Sequence, residues 1–118
     1  MNIPNTLDDA IIEVLLGLSS ENIADIKTNK LDSVSMHHVL GRWLRNNWGL
    51  WSGSNLRTHF FDMGVHHADD MTDIILSNVV CKIKGEPFNL QVKLDRLRLF
   101  WGDQDIDVDA EIKRLRNE

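Results

Sequence analysis

The sequence predicts an all-α fold, a single compact domain of about six or seven short-to-medium helices across residues 1–118. Apolar residues recur every three or four positions along most of the chain, which is the period of an amphipathic helix. Helix-capping residues and glycines divide this pattern into segments with short connections, as expected for helices that pack against their sequence neighbours. A chain of this length is about one domain with one modest core.

Composition and segment lengths narrow the class of protein. Hydrophobic residues make up 42% of the chain and charged residues 26%, as in soluble globular proteins. No apolar run reaches the roughly 18 residues of a membrane-spanning helix, and acids rather than bases precede the first apolar run, unlike in a signal peptide. The lone Cys81 excludes an internal disulfide and a cysteine-based zinc site. We therefore expect a cytoplasmic protein without membrane contact.

Two helices are predicted near the amino terminus. Ser19 or Ser20 caps the shorter second helix, whose Ile23 and Ile26 face inward. Thr6 caps the first helix, with an acid three residues on as in a capping box. The apolar face of the first helix is formed by residues at helical spacing: Leu7, Ala10, Ile11, Val14, Leu15 and Leu18.

A third helix is predicted over about residues 33–47. Gly41 lies in its middle, where glycine costs about 1 kcal/mol relative to alanine. We expect this glycine to permit the close approach of another helix. The apolar face of the third helix is formed by Met36, Leu40, Trp43 and Leu44.

The next two helices are marked by their ends. Ser54 is placed to cap one helix, and Gly64 is placed to end it. The following helix begins at about His67, ends at Gly85 and cannot resume because of Pro87.

The last two segments complete the prediction. NLQVKLDRLRLFW alternates like a strand, but Asn89 could cap a helix with Leu90, Leu94, Leu97 and Trp101 on one face. We predict a helix, because no second strand exists for it to pair with. The segment DVDAEIKRLRNE is typical of a short helix, with acids early and bases late as the helix dipole prefers.

The stretch HFFDMGVHHADDM, residues 59–71, raises the question of a metal or acid/base site. Its candidate ligands are His59, His66, His67, Asp69 and Asp70, and imidazole with carboxylate suits zinc, iron or manganese. The spacing argues against such a site, because helical ligand pairs usually lie three or four residues apart. A helix entry explains the same residues: His67 is the N-cap and both aspartates lie in the first turn, where carboxylates are favoured.

The charge distribution favours a protein partner. The net charge is −5; residues 1–36 carry six acids and two bases, and residues 102–118 carry six acids and three bases. Nucleic-acid binders usually show the opposite, a basic surface, so we predict no nucleic-acid partner. Acidic surfaces suit a basic protein partner. The carboxylates that we predict to face this partner are Asp103, Asp105, Asp107 and Asp109.

Three tryptophans lie within nine residues, interleaved with arginines. In one interpretation, Trp43, Trp48 and Trp51 pin the corner after the third helix into the core. In the other, they form an exposed Trp/Arg platform of the kind that dominates protein interfaces. Under the second interpretation, Trp48 and Trp51 join the partner-facing residues.

The motifs LGRWLRNNWGLWSGSNL, FFDMGVHHADDMTDIIL and KGEPF resemble those of a family of small bacterial domains of unknown function. The resemblance covers about residues 37–88 and implies no activity. The family pattern, close to GRWIRNxWGLW, then GxxHPDDMSxIIL, then a helix ending in GKP, often has Pro where this chain has Ala68 and Ser where it has Thr72. Proline at the position of Ala68 is typical of the first residue of a helix, so the resemblance supports His67 as the N-cap.

Two functional hypotheses follow from these observations. A small, acidic, cysteine-poor protein without a catalytic constellation is similar in character to immunity proteins that neutralise bacterial toxins, many of which are basic nucleases. We therefore predict a non-catalytic module that binds a basic toxin domain and needs no cofactor or metal. The alternative is a small metal-dependent or acid/base enzyme that uses the His/Asp cluster of residues 59–70. The sequence leaves the oligomeric state open.

Overall fold

The computed structural model describes residues 3–118 and confirms the all-α prediction. Within these residues the chain forms seven helices and connecting turns, and no strand. We number them α1 (Leu7–Gly17), α2 (Ser20–Lys27), α3 (33–47), α4 (Asn55–Asp62), α5 (Ala68–Lys84), α6 (Leu90–Asp103) and α7 (Val108–Arg116). None of the helices in the described part of the chain combines the length and apolar character needed to cross a membrane.

The predicted helix ends agree with the structure. Thr6 and Ser54 accept hydrogen bonds from the backbone N–H three residues on, at 3.2 Å and 3.1 Å. Ser19, rather than Ser20, caps α2. At the start of α5, His67 Nδ1 accepts from the N–H of Asp69 at 3.1 Å. These caps satisfy amide groups that the first turn of a helix leaves without partners.

Glycines end α4 and α5 as predicted. Gly64 has φ +85°, and the N–H of Val65 reaches back to the carbonyl of Phe60 at 2.9 Å. Gly85 has φ +69° and ends α5 with a turn of the same type. Left-handed backbone favours glycine, because a Cβ would meet the following carbonyl oxygen there.

α5 lies at the centre of the molecule. It contacts α1, α2, α3 and α6, and α7 packs against α6. Its buried residues occupy more than one face, as expected for a helix surrounded by others. They are Ala68, Met71, Thr72, Ile74, Ile75, Leu76, Val79 and Val80.

The buried face of the third helix differs from the predicted one. α3 begins with an α-helical turn at Ser33–Met36, continues as a π-helical turn at His37–Gly41 and ends as an α-helix at Arg42–Asn47. A π-helical turn contains an additional residue, so it rotates everything after it. The buried positions therefore run from Met36 to Gly41 and Leu44, and Trp43, predicted to face inward, is 41% exposed.

Gly41 also has a different role from the one predicted. A Cβ at this position would meet Arg45 Nη1 at 2.8 Å and the ring of His37 at 3.4 Å, both from its own helix. The glycine thus makes room for the Arg45 guanidinium rather than for another helix. Arg45 Nη1 crosses to α5 and donates to Thr72 Oγ1 at 3.1 Å.

Candidate functional site

An apolar groove lies between the end of α1 and α3, with a volume of about 460 Å³. A volume of this size is within the range of sites that bind small molecules or side chains of a partner. We call it the α1–α3 groove, and Glu13 lies at its edge. Its main lining residues are Val14, Leu16, Leu18, Leu40, Trp43 and Trp48.

The two helices that form the groove both expose apolar residues outside their buried faces. On α1, Leu16 is 76% exposed, and Ile12, four residues earlier on the same face, is also exposed. On α3, Val39 is 72% exposed, and the π-helical turn directs Trp43 outward. Single exposed apolar residues are ordinary, whereas a contiguous group of them is typical of an interaction surface.

Trp48 is a buried residue that lines the groove. Its side chain is 3% exposed, and its Nε1 is buried without a hydrogen-bond partner among residues 3–118. Trp43 packs against it edge to face, with ring centroids 6.2 Å apart. A buried donor without an acceptor costs about 1–3 kcal/mol, so the indole N–H of Trp48 destabilises the fold locally.

A second depression continues the groove along α3. It has a volume of about 310 Å³ and shares Leu18 and Leu40 with the first. Val39 lies along it, and its charged residues are Asp25 and Lys30. The apolar surface therefore extends past α2, whose segment of the chain is acidic overall.

The tryptophans divide between the two interpretations. Trp48 lies in the core, as the first interpretation has it, and it also lines the groove, so its role as a partner contact stays a prediction. Trp51 is exposed, and its ring packs edge-on against His67 with centroids 5.4 Å apart. Its role as a partner contact stays a prediction.

His66, His67 and Asp70, at the start of α5, pack against Trp101 of α6. His67 stacks on Trp101 of α6, with centroids 5.7 Å apart and planes at 20°, and His66 meets the same ring edge-on at 4.8 Å. Trp101 Nε1 donates to Asp70 Oδ2 at 2.8 Å. Burial lowers the pKa of His66, while the nearby Asp70 carboxylate opposes that shift. The contacts of Trp101 therefore fasten α6 to the start of α5.

The five residues of the enzyme hypothesis are not assembled into one centre. His59 lies on α4 with its ring against Phe60, and Asp69 is engaged by Arg45 at 3.3 Å. Within residues 3–118, no three His, Cys, Asp or Glu side chains are arranged to hold a metal ion. The geometry of this stretch is that of a helix entry.

The four predicted partner-facing aspartates lie at the end of α6 and the start of α7, and all are exposed. Two have structural roles: Asp107 caps α7 by accepting from the N–H of Ala110, and Asp109 lies 3.3 Å from Arg98. Asp103 and Asp105 complete the acidic turn. The groove itself was not predicted, although Ile12 and Leu16 outside the first apolar face were a signal for it.

A comparison with protein families found a match for about the N-terminal two thirds of the chain. The family model for a Domain of unknown function (DUF6794) matches residues 3–83. The chain belongs to this family. The DUF6794 match includes the 36 N-terminal residues that the sequence resemblance left out, apart from the first two, and it ends before α6. It therefore contains the α1–α3 groove but not the acidic turn. Comparisons with curated proteins and with solved structures gave no match.

Proposed function

We propose that this DUF6794 protein is a non-catalytic protein-binding module of the immunity type, which binds and neutralises a basic bacterial toxin. The observation that carries the proposal is the α1–α3 groove, where exposed Leu16 and Trp43 line an apolar space together with buried Trp48. Aromatic and aliphatic anchors in an apolar pocket are typical of the centre of a protein interface. A free thiol at Cys81 is consistent with action in the cytoplasm.

The occupant that fits the groove is an apolar segment of the partner. Its apolar side chains would cover Leu16 and Trp43. Full burial of one leucine-sized side chain stabilises a complex by about 1.5–3 kcal/mol. Loss of Leu16 from such an interface would therefore weaken binding by about tenfold to a hundredfold.

Charge supports a basic partner. Six acids against two bases in residues 1–36 make the groove-bearing end of the molecule negative. Glu13 lines the groove, and Asp25 lies in the depression that continues it, beside Lys30. Asp103 and Asp105 add to the same long-range field, which steers a basic partner and raises its association rate.

The test starts with affinity capture from an extract of the native host, followed by purification of the captured protein and of the product of the neighbouring open reading frame. We expect a basic protein whose toxicity is suppressed when this chain is co-expressed. Binding is then measured with Leu16→Gln, in the groove, and Val39→Gln, in the depression that continues it. The matched control is Leu99→Gln, a change of a 69% exposed leucine on α6, outside the groove.

The expected result is a tenfold or greater increase in Kd for each groove variant and little change for Leu99→Gln. Equal losses in all three variants, or none, would contradict the groove as the contact surface. An acidic partner, or an association rate that does not fall as salt is raised, would remove the electrostatic part of the proposal.

A further inference from the structure

Arg57 of α4 is a buried cation that lacks an ion-pair partner among residues 3–118. The side chain is 8% exposed, and its Nε is buried without a hydrogen-bond partner among residues 3–118. None of the ion pairs in this part of the chain includes Arg57. Its guanidinium carbon lies 4.9 Å from the centroid of the Phe61 ring. A cation–π contact compensates only part of the cost of burying a guanidinium, which normally requires a carboxylate or phosphate.

Arg57 lines a cavity of about 350 Å³ that is separate from the α1–α3 groove. The cavity lies between the turn before α4, the start of α5, the end of α6, and α7. Its walls include the rings of Trp51, His67 and Trp101. His67 stacks on Trp101, and Trp51 meets His67 edge-on, so the three rings form one aromatic part of the cavity wall. Such walls favour a planar, aromatic ligand.

The other charges in the cavity are already paired with one another. Glu111 and Glu118 both contact Arg114, at 2.8 Å and 3.1 Å. In the described part of the chain, Arg57 is therefore the cation of this cavity that is free to meet an anionic group. With two glutamates nearby, a singly charged carboxylate is more favourable than a doubly charged phosphate. A carboxylate can also accept two parallel hydrogen bonds from one guanidinium.

We propose that this cavity binds a small aromatic carboxylate. The carboxylate pairs with the Arg57 guanidinium, and the ring lies against Trp51, His67 and Trp101. Ala68, the first residue of the 17-residue helix α5, also lines the cavity, so the positive end of that helix dipole faces the same space. This site is independent of the proposed protein-binding groove, because the two share no lining residue.

The test measures binding of benzoate and indole-3-carboxylate to the full chain by calorimetry and tryptophan fluorescence. Benzamide, which keeps the ring but lacks the charge, and inorganic phosphate are the comparison ligands. We expect saturable binding of at least one carboxylate, with benzamide at least about tenfold weaker and phosphate weaker still. Binding should quench fluorescence, because two of the cavity walls are tryptophans.

Three variants test whether the carboxylate binds in this cavity. Arg57→Met should reduce carboxylate binding at least about tenfold. Arg96→Met, the same change at an exposed arginine outside the cavity, should leave it unchanged. Trp51→Ala alters an exposed wall residue and should also weaken binding, which keeps the test decisive if Arg57→Met does not fold. Phosphate binding as tight as that of the carboxylates, equal binding of benzamide, unchanged binding in Arg57→Met, or no carboxylate binding tighter than about 1 mM would overturn the proposal.

Discussion

Arg45 joins side chains that are far apart in the sequence. Its Nη1 lies 3.1 Å from His37 Nε2 and donates to Thr72 Oγ1 at 3.1 Å, while its Nε lies 3.3 Å from Asp69. Thr72 is fully buried, and its own hydroxyl donates to the carbonyl of Asp69 at 3.0 Å. The buried hydroxyl is thus satisfied in both directions, and it connects α3 with the first turn of α5.

Replacement of Thr72 by valine keeps the shape of the side chain and removes the hydroxyl. We expect Thr72→Val to lower the free energy of unfolding by about 1–3 kcal/mol, because Arg45 loses an acceptor in a partly buried setting. Urea denaturation of Thr72→Val, Arg45→Met and the double variant gives the coupling between the two residues. A coupling of at least about 0.5 kcal/mol is expected, and additive effects would contradict a direct interaction.

His66 makes stability depend on pH. Burial lowers its pKa from the ordinary value of 6.5, so the unfolded chain takes up a proton at a higher pH than the folded chain. The stability contributed by neutral His66 is complete above pH 6.5 and is lost as the pH falls from there towards its lower native pKa.

The measurement is the thermal midpoint of the wild type and of His66→Gln between about pH 8 and about pH 5. Carboxylates elsewhere affect both proteins, so the difference between the two isolates the histidine. The wild type should lose more stability on acidification than His66→Gln does. Parallel curves for the two proteins would show that His66 is not the responsible group.

Among the elements, α3 shows where sequence patterns predict structure and where they fail. The ends of the helices are predictable, because a cap is a contact between residues three positions apart, as for Ser54 and Asn89. The orientation of Trp43 and Trp48 is not, because the period of 3.6 residues assumed by the pattern does not hold through the π-helical turn. The same turn creates the outer wall of the α1–α3 groove, so the groove was missed for the same reason.

α6 should be sensitive to the loss of its cap. It contains no fully buried residue, and Asn89 Oδ1 accepts from the N–H of Val92 at 3.1 Å. Asn89→Ala is therefore expected to lower the free energy of unfolding by about 0.5–2 kcal/mol, whereas Asn89→Ser retains an acceptor and should cost much less. In urea denaturation the midpoint should move to a lower urea concentration, and the slope of the unfolding free energy against urea concentration should not change. Equal effects of alanine and serine would show that the cap bond is not the cause.

For the whole molecule, the fold was predictable and the candidate sites were not, for one physical reason. Helical period, caps and helix-ending glycines act within one or two turns, so they can be recognised in a linear sequence. The isolation of Arg57 and the way in which α1 and α3 enclose the groove depend on how distant helices pack, and a short pattern carries no record of that. The acidic turn at residues 103–109 was found because charge is visible in composition, although two of its carboxylates are engaged within the protein.

That residues 1–118 form one domain stays a prediction, and the contacts of α6 and α7 with the rest of the molecule bear on it. The family match ends at residue 83, so α6 and α7 could form a separately stable addition. Their contacts argue otherwise: Val108 and Ile112 of α7 are buried in the common core, and Trp101 of α6 donates to Asp70 of α5. Loss of this pair of helices would expose apolar surface on the remainder, so the chain should unfold in one cooperative step.

Urea denaturation followed by far-ultraviolet circular dichroism and by tryptophan fluorescence checks this expectation. Circular dichroism reports all helices, and the difference between wild type and Trp101→Phe fluorescence reports α6. The transitions should coincide, with a slope of about 1–3 kcal/mol/M. An α6 transition at lower urea than the loss of helix would instead show two folding units, because fluorescence from Trp101 would then change while α1 to α5 remained intact.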